Sequence, residues 1–269
     1  MQIKEIKAKS IITKSKLPET DYVINPYVGC MHGCIYCYAQ FMKKFTNHTE
    51  PWCQFLDIKI NSIDLIPEKS NKYKNKSIGL CSVTDPYLPL EKKYKLTRGI
   101  LERLIPLEPD IWILTKSDLI IRDIDLLKQF KNCRTAVSLG IMDDSVRKEI
   151  EPFASSVQQR INAIKKLKEA GIRTAIFICP IFPELTDWKA IVEKTKDYVD
   201  EFWFDTLNIY PGIYSNIKYW LKNYHPELLK KYEDIYFTQK KVCMSLSKDI
   251  AKYGIEKKMN FKIYFDTGE

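Results

Sequence analysis

The segment Cys30-Met31-His32-Gly33-Cys34-Ile35-Tyr36-Cys37 sets three thiols on one short stretch, separated by three and then two residues, with Gly29 before it and Tyr38 after it. Three thiolates so spaced can close around one metal centre. A 4Fe-4S cluster ordinarily takes four cysteine thiolates, so a loop that supplies three leaves one iron open to a small ligand. A structural zinc is the alternative, with Cys53 or His32 as the fourth ligand. Zinc is usually held by closely spaced ligand pairs. Cys53 belongs to no second Cys-x2-Cys pair, so the spacing favours the cluster.

Such a loop needs a rigid carrier. A short strand over 23–28 delivers it, and 38–45 has helical character after it. Further apolar runs of strand length follow at 77–83, 111–114, 135–139, 174–178 and 202–204, while 55–60 alternates like the strand of a local insertion. Between these runs lie amphipathic stretches. Val157, Ile161, Ile164 and Leu167 share a helical face that opens on a Ser156/Gln159 capping box and stops before Gly171. Trp188, Ile191, Val192 and Val199 repeat the pattern, as do Ile100, Leu101 and Leu104 ahead of Pro106.

Alternation of strand and helix predicts an α/β fold of parallel strands with right-handed crossovers. Six such units fall short of an eight-stranded closure, so the expectation is a partial (β/α)6 TIM-like barrel with a C-terminal helical extension. The predicted division is a lysine-rich lead-in at 1–22, the barrel at 23–210, and a C-terminal part at 211–269 packing on it. In that last part Pro226 opens a long helix with Leu228, Leu229, Tyr232, Ile235, Tyr236, Val242, Cys243, Leu246 and Ile250 on its apolar face, and 261–265 adds a strand.

The 269 residues carry 43 Lys+Arg against 34 Asp+Glu, a net charge of +9, with 45% hydrophobic residues. That apolar content supports a sizeable core, and no linker or low-complexity tract interrupts it. No stretch reaches the length of a membrane span, and the lysine-rich start lacks the apolar run of a signal peptide. No membrane association and a cytoplasmic location are therefore expected. Eight mostly isolated cysteines suit a reducing compartment. Lysines gather at 72–76, 92–95 and 165–166, the first two groups with tyrosines among them. That pattern suits nucleic acid, whose phosphates attract lysine and whose bases stack on aromatics; a merely solvated surface is the plain alternative.

The Cys-x3-Cys-x-aromatic-Cys spacing resembles the signature of the radical S-adenosylmethionine (SAM) superfamily at every position. Taken with Thr84-Asp85-Pro86-Tyr87, Thr115-Lys116-Ser117 and Arg122-Asp123 in that order, the chain is similar to the group related to spore photoproduct lyase, often called DNA repair photolyase-like. Within that group it looks most like radical SAM mobile pair protein B. The resemblance runs from about Val23 to Phe204. It implies that Cys30, Cys34 and Cys37 hold a 4Fe-4S cluster whose open iron takes the amino and carboxylate groups of SAM. It further implies cleavage of SAM to a 5′-deoxyadenosyl radical and an electron donor such as flavodoxin or ferredoxin. The implied reaction is repair or modification of a nucleic-acid base, and the mobile pair label implies a partner protein.

In spore photoproduct lyase two tyrosines flank the last cluster cysteine, where this chain has Tyr36 and Tyr38. A cysteine at the end of the second strand returns a hydrogen there, and this chain has Cys81. The lyase donor stands three residues ahead of an aspartate, whereas Cys81 stands four ahead of Asp85. A shift of one turns a strand side chain to the opposite face. Two other readings stay open: a radical SAM enzyme acting on a small molecule or protein side chain, and a zinc-stabilised nucleic-acid-binding module without catalysis.

Ligands of parallel α/β architectures sit at the carboxyl ends of the strands. SAM needs a cation for its carboxylate, hydroxyls or acids for its ribose and an aromatic wall for its adenine. Lys116, Ser117, Ser138, Glu151 and Arg160 are the candidates, with Asp85 beside them and Tyr36 seating the adenine. Lys116 directly follows an apolar strand and should point into the rim. Arg160 reads equally well as a surface residue of its helix. Cys179-Pro180, Asn208, Tyr210 and Pro211 complete the ring of polar strand ends. Cys81, Cys133, Cys179 and Cys243 have simple buried packing as their alternative.

Overall fold

The structure, a computed structural model, describes residues 1–238 and 242–265. Its strands are β1 (Gln2–Ile6), β2 (Ile12–Lys14), β3 (Tyr22–Ile24), β4 (Tyr27–Val28), β5 (Phe55–Lys59), β6 (Ser77–Leu80), β7 (Asp110–Thr115), β8 (Cys133–Ser138), β9 (Arg173–Ile181), β10 (Glu201–Thr206) and β11 (Phe261–Ile263). An eight-stranded sheet runs in the order β11-β10-β9-β8-β7-β6-β3-β2, and a small sheet runs β1-β5-β4. The large sheet is parallel from β3 to β11, with β2 antiparallel at its edge. Among the described residues β11 and β2 do not pair, so the barrel is partial, as expected. Across that seam Lys262 of β11 meets Glu19, in the turn between β2 and β3, at 2.9 Å.

Helices cover the outer face. Ile111, Val137, Ile176 and Phe204 of the sheet share one core with Ile161, Ile164 and Leu167 of the helix Val157–Glu169 and Ile191 of Trp188–Thr195. The expected capping box is present: the Ser156 hydroxyl accepts from Gln159 N, and the Gln159 side chain accepts from Ser156 N at 2.8 Å. The helix Leu96–Leu104 fills the crossover between β6 and β7.

Strand periodicity then decides what faces inward. Register sets Leu114 beside Ala136 and Ala136 beside Ala175, with Ser138 beside Phe177 and Phe177 beside Trp203. Leu114, Ala136, Ala175, Phe177 and Trp203 form a separate interior cluster. Small alanines in its middle leave space above. Continued toward the carboxyl ends, the same parity delivers Lys116, Ser138, Cys179 and Asp205 to one cavity.

Parts of the chain differ from the sequence-based expectation. Residues 1–22 are extended but paired, forming β1 and β2 and entering β3. The strand expected over 23–28 is two short ones, β3 and β4, in different sheets, because Asn25-Pro26 interrupts it. Pro211, read as a strand-end residue, opens the helix Pro211–Tyr224, a role proline suits because the first helical N–H has no partner to lose. The long helix expected from Pro226 is broken into Pro226–Leu228, Leu229–Glu233, a π turn at Asp234–Thr238, and Val242–Glu256. The side chains of Val242 and Cys243 lie outside the described residues. No helix among the described residues is long and apolar enough to cross a membrane.

Candidate active site

The cysteine loop follows β4 and is shaped by two glycines. Gly29 has φ +95°, and a Cβ there would stand 2.5 Å from the Phe55 carbonyl oxygen; Gly33 has φ +71° and packs against Pro152 and Phe153. Neither position accepts an ordinary side chain. The loop is tied down along its length. Ile35 N donates to Ile150 O at 3.0 Å, Phe153 N to His32 O at 3.1 Å, and Thr84 Oγ1 to Gly29 O at 2.6 Å. His32 is buried with Nε2 3.1 Å from Asp85 Oδ2, near enough for an ion pair though off the line of a hydrogen bond.

Cys30, Cys34 and Cys37 all face a cavity of about 770 Å³ at the carboxyl ends of the strands, a volume ordinary for a cofactor or substrate site. Burial pushes all three thiols up, so a positive metal centre is what would hold them as thiolates. Among the described residues no three His, Cys, Asp or Glu side chains converge to hold a single ion. Three thiols on one cavity wall suit a cluster, whose separate irons each take one of them. Cys53 stands outside the cavity lining. Trp52 Nε1 donates to Cys37 Sγ at 3.2 Å.

The predicted ligand residues divide into those that face the cavity and those that support it. Lys116 faces it, its ammonium 5.6 Å from the Tyr36 ring centroid. Burial opposes that charge, but Cys34, Glu151 and Cys179 outweigh it and hold the ammonium protonated. Ser138 also faces the cavity, donating to Cys179 O at 3.2 Å. Asp85 lines it yet is fully engaged, accepting from Tyr87 N, Thr115 Oγ1 and Lys116 N at 2.7–2.8 Å. Burial raises its pKa, but His32 and these donors prevail and bring it to about 2. Asp85 thus clamps the ends of β6 and β7 to the cysteine loop.

Ser117, Glu151 and Arg160 do not reach the cavity. Ser117 follows the inward Lys116 and so turns outward, where its hydroxyl caps the next turn at Leu119 N. Arg160 is buried, not a surface residue: its guanidinium donates to Glu151, to Ser155 O at 2.9 Å and to Ser138 O at 3.0 Å. Glu151 also accepts from the Tyr36 hydroxyl. Burial raises the Glu151 pKa, but Arg160 and Lys116 overcome it and hold the carboxyl below its usual range. This chain fixes the cysteine loop to the sheet from beneath. Tyr38, by contrast, is exposed and donates its hydroxyl to Ser82 O.

Cys81 corrects the parity argument made from sequence. The strand ends at Leu80, and Cys81 has φ +65°, so alternation no longer decides its direction. The kink leaves Cys81 on the cavity wall. Arg122 and Asp123, by contrast, pair with Glu91 and Arg98 away from the cavity and are structural.

Sequence reasoning missed Asp205. It carries an inward carboxyl with no cation beside it among the described residues, hydrogen-bonded to Thr206 N at 2.8 Å, and burial pushes its pKa up to about 6. The signal was the alternation with Trp203. It also missed the mouth of the cavity. None of the lysine groups at 72–76, 92–95 and 165–166 lines it; Lys43 and Lys44 lie on the 3-10 turn Tyr38–Phe45, whose first four residues do.

Residues 24–194 match the Radical SAM superfamily. The chain is 40% identical over 227 residues to the Methanocaldococcus jannaschii protein MJ0683, covering 84% of this chain and 85% of that one. It is 29% identical over 160 residues to a Pseudomonas phage M6 protein named radical SAM Nalpha-GlyT isomerase, covering 59% of this chain and 32% of that longer protein. Among solved structures, spore photoproduct lyase complexed with dinucleoside spore photoproduct shares the fold, with a TM-score of 0.60 at 15% identity over 88% of this chain and 80% of that one. The non-catalytic zinc module gives way to these findings. The chain belongs to the radical SAM superfamily, enzymes that take a 4Fe-4S cluster and SAM and need an electron donor.

Proposed function

We propose that this enzyme repairs or modifies a base in a nucleic-acid strand. One observation carries the reading: the three-thiol wall and a lip of exposed aromatics with lysine open on the same cavity. Tyr38, Phe41 and Tyr210 line the cavity at 56%, 45% and 60% exposed, and Phe45, 68% exposed, ends the same turn as the first two, too much bare ring to be ordinary surface. Lys44 Nζ lies 5.9 Å from the Phe41 ring and 4.9 Å from the Phe45 ring. A single strand presents base faces and phosphates alternately, and rings with lysines between them answer both. The fold neighbour complexed with a dinucleoside is in keeping with that substrate class.

Within the cavity the roles follow from position. Cys30, Cys34 and Cys37 hold the cluster, which with SAM supplies a 5′-deoxyadenosyl radical. Lys116, with no hydrogen-bond acceptor among the described residues, takes the SAM carboxylate. Ser138 offers its remaining lone pairs to the ribose, and Tyr36 walls the adenine. Cys81 places an S–H toward the substrate as hydrogen donor, and Cys81→Ala should alter the product.

Deuterium transfer tests the reading. Reconstituted, reduced protein with SAM is offered DNA, RNA, protein and small-molecule fractions from cells grown in heavy water. Label entering 5′-deoxyadenosine or recovered SAM from DNA or RNA supports it. Label arriving only from the protein or small-molecule fraction would replace it with the corresponding substrate.

A further inference from the structure

Trp52 is not part of the cysteine motif and does not line the cavity, yet its indole N–H points at a cluster-wall sulfur, Cys37 Sγ, at 3.2 Å. The indole is held in that direction by a stack behind it. Trp52 packs edge-on against Phe55 of β5, with centroids 5.6 Å apart and planes at 83°. Phe55 is fully buried, and the His48 ring stacks on it at 4.0 Å. His48 is itself pinned, with Nε2 2.9 Å from Asp57 Oδ1 and Nδ1 3.2 Å from Glu50 Oε2. The small sheet therefore aims one N–H dipole at one sulfur.

Hydrogen bonds to ligating sulfurs are among the factors that set a cluster's reduction potential, and groups behind the ligands tune a metal centre as the ligands do. A donor N–H stabilises the extra negative charge that arrives with an electron, so it makes the centre easier to reduce. We infer that Trp52 is a positioning residue that raises the reduction potential of the cluster through Cys37. The inference rests on Cys37 being a cluster ligand. It concerns one electron entering the centre, and no atom is transferred.

The test compares wild type with Trp52→Phe, which keeps an aromatic ring on Phe55 and deletes only the donor. Both are reconstituted, assayed for iron and sulfide, and titrated potentiometrically with the reduced signal followed by electron paramagnetic resonance. The expected result is equal iron and sulfide with a more negative midpoint potential in Trp52→Phe. Equal cluster content with an unchanged potential overturns the inference and leaves the cluster assignment standing. Wild type that takes up no cluster overturns both. Should Trp52→Phe itself lose iron, wild type carrying tryptophan labelled with 15N in the indole decides. Coupling of that nitrogen to the reduced cluster supports the hydrogen bond, and its absence removes it.

Discussion

The two walls of the cavity are built on opposite principles. On the wall formed by the cysteine loop and the ends of β6 and β7, the buried carboxylates described have partners: Asp85 with its three donors and His32, Glu151 with Arg160 and Tyr36. On the wall formed by the ends of β9 and β10, Asp205 has one backbone donor and no cation among the described residues, and Tyr210 stands open. Partnered groups cannot be recruited without breaking something, whereas an unpartnered carboxylate waits for what a ligand brings. The first wall suits a cofactor that never changes. The second suits the molecule that must be told apart from others.

Substitutions can break or sharpen this contrast. The largest effect is expected for Cys34→Ala, which should abolish cluster uptake and 5′-deoxyadenosine formation, read by iron content and chromatography. Glu151→Gln comes next. It leaves the Arg160 guanidinium buried without its counter-charge, a loss that typically costs about 3–5 kcal/mol, so melting temperature should fall sharply. The double variant Glu151→Leu with Arg160→Met should recover much of that stability while still loosening the cysteine loop, which separates fold from site.

On the other side of the comparison, Phe41→Ala and Phe45→Ala should leave the fold and cluster intact and weaken binding of a fluorescent single-stranded oligonucleotide. The expected loss is about 1–3 kcal/mol per base that had stacked. Unaltered affinity would remove the aromatic lip from substrate binding.

The smallest effect is a pH profile. Asp205 ionises at about 6 in the folded chain against 3.8 unperturbed, because burial disfavours its charge. At neutral pH the folded state carries that unfavourable charge and the unfolded state carries it freely. This contribution therefore adds stability as pH falls from about 6 toward 3.8. Asp205→Asn should lack that rise and be no less stable at pH 7, as melting temperatures across the window would show.

What the sequence disclosed was local. The cysteine spacing, the capping box at Ser156 and Gln159 and the apolar strand runs each depend on residues a few positions apart, and each was legible. What it hid was direction and depth. Ser117 and Lys116 are adjacent, and only strand parity tells which faces the cavity. Arg160 sits on an amphipathic helix like any surface arginine, and nothing nearby in sequence announces that Glu151 and Ser138 O wait beneath it. Cys81 escaped because parity was applied past the end of its strand. The lysine groups misled because charge along a chain does not say which face of the fold it reaches.

The unpaired seam between β11 and β2 has a mechanical consequence. A closed barrel fixes its bore by strand number and tilt, and widening it means tearing a ladder. Here the described tie between the two margins is Lys262 to Glu19, whose side chains are 31% and 65% exposed; such a surface pair contributes about 0–1 kcal/mol. The seam can open while every hydrogen-bonded strand pair stays whole, so the gauge of this opening is set by side chains rather than by the sheet.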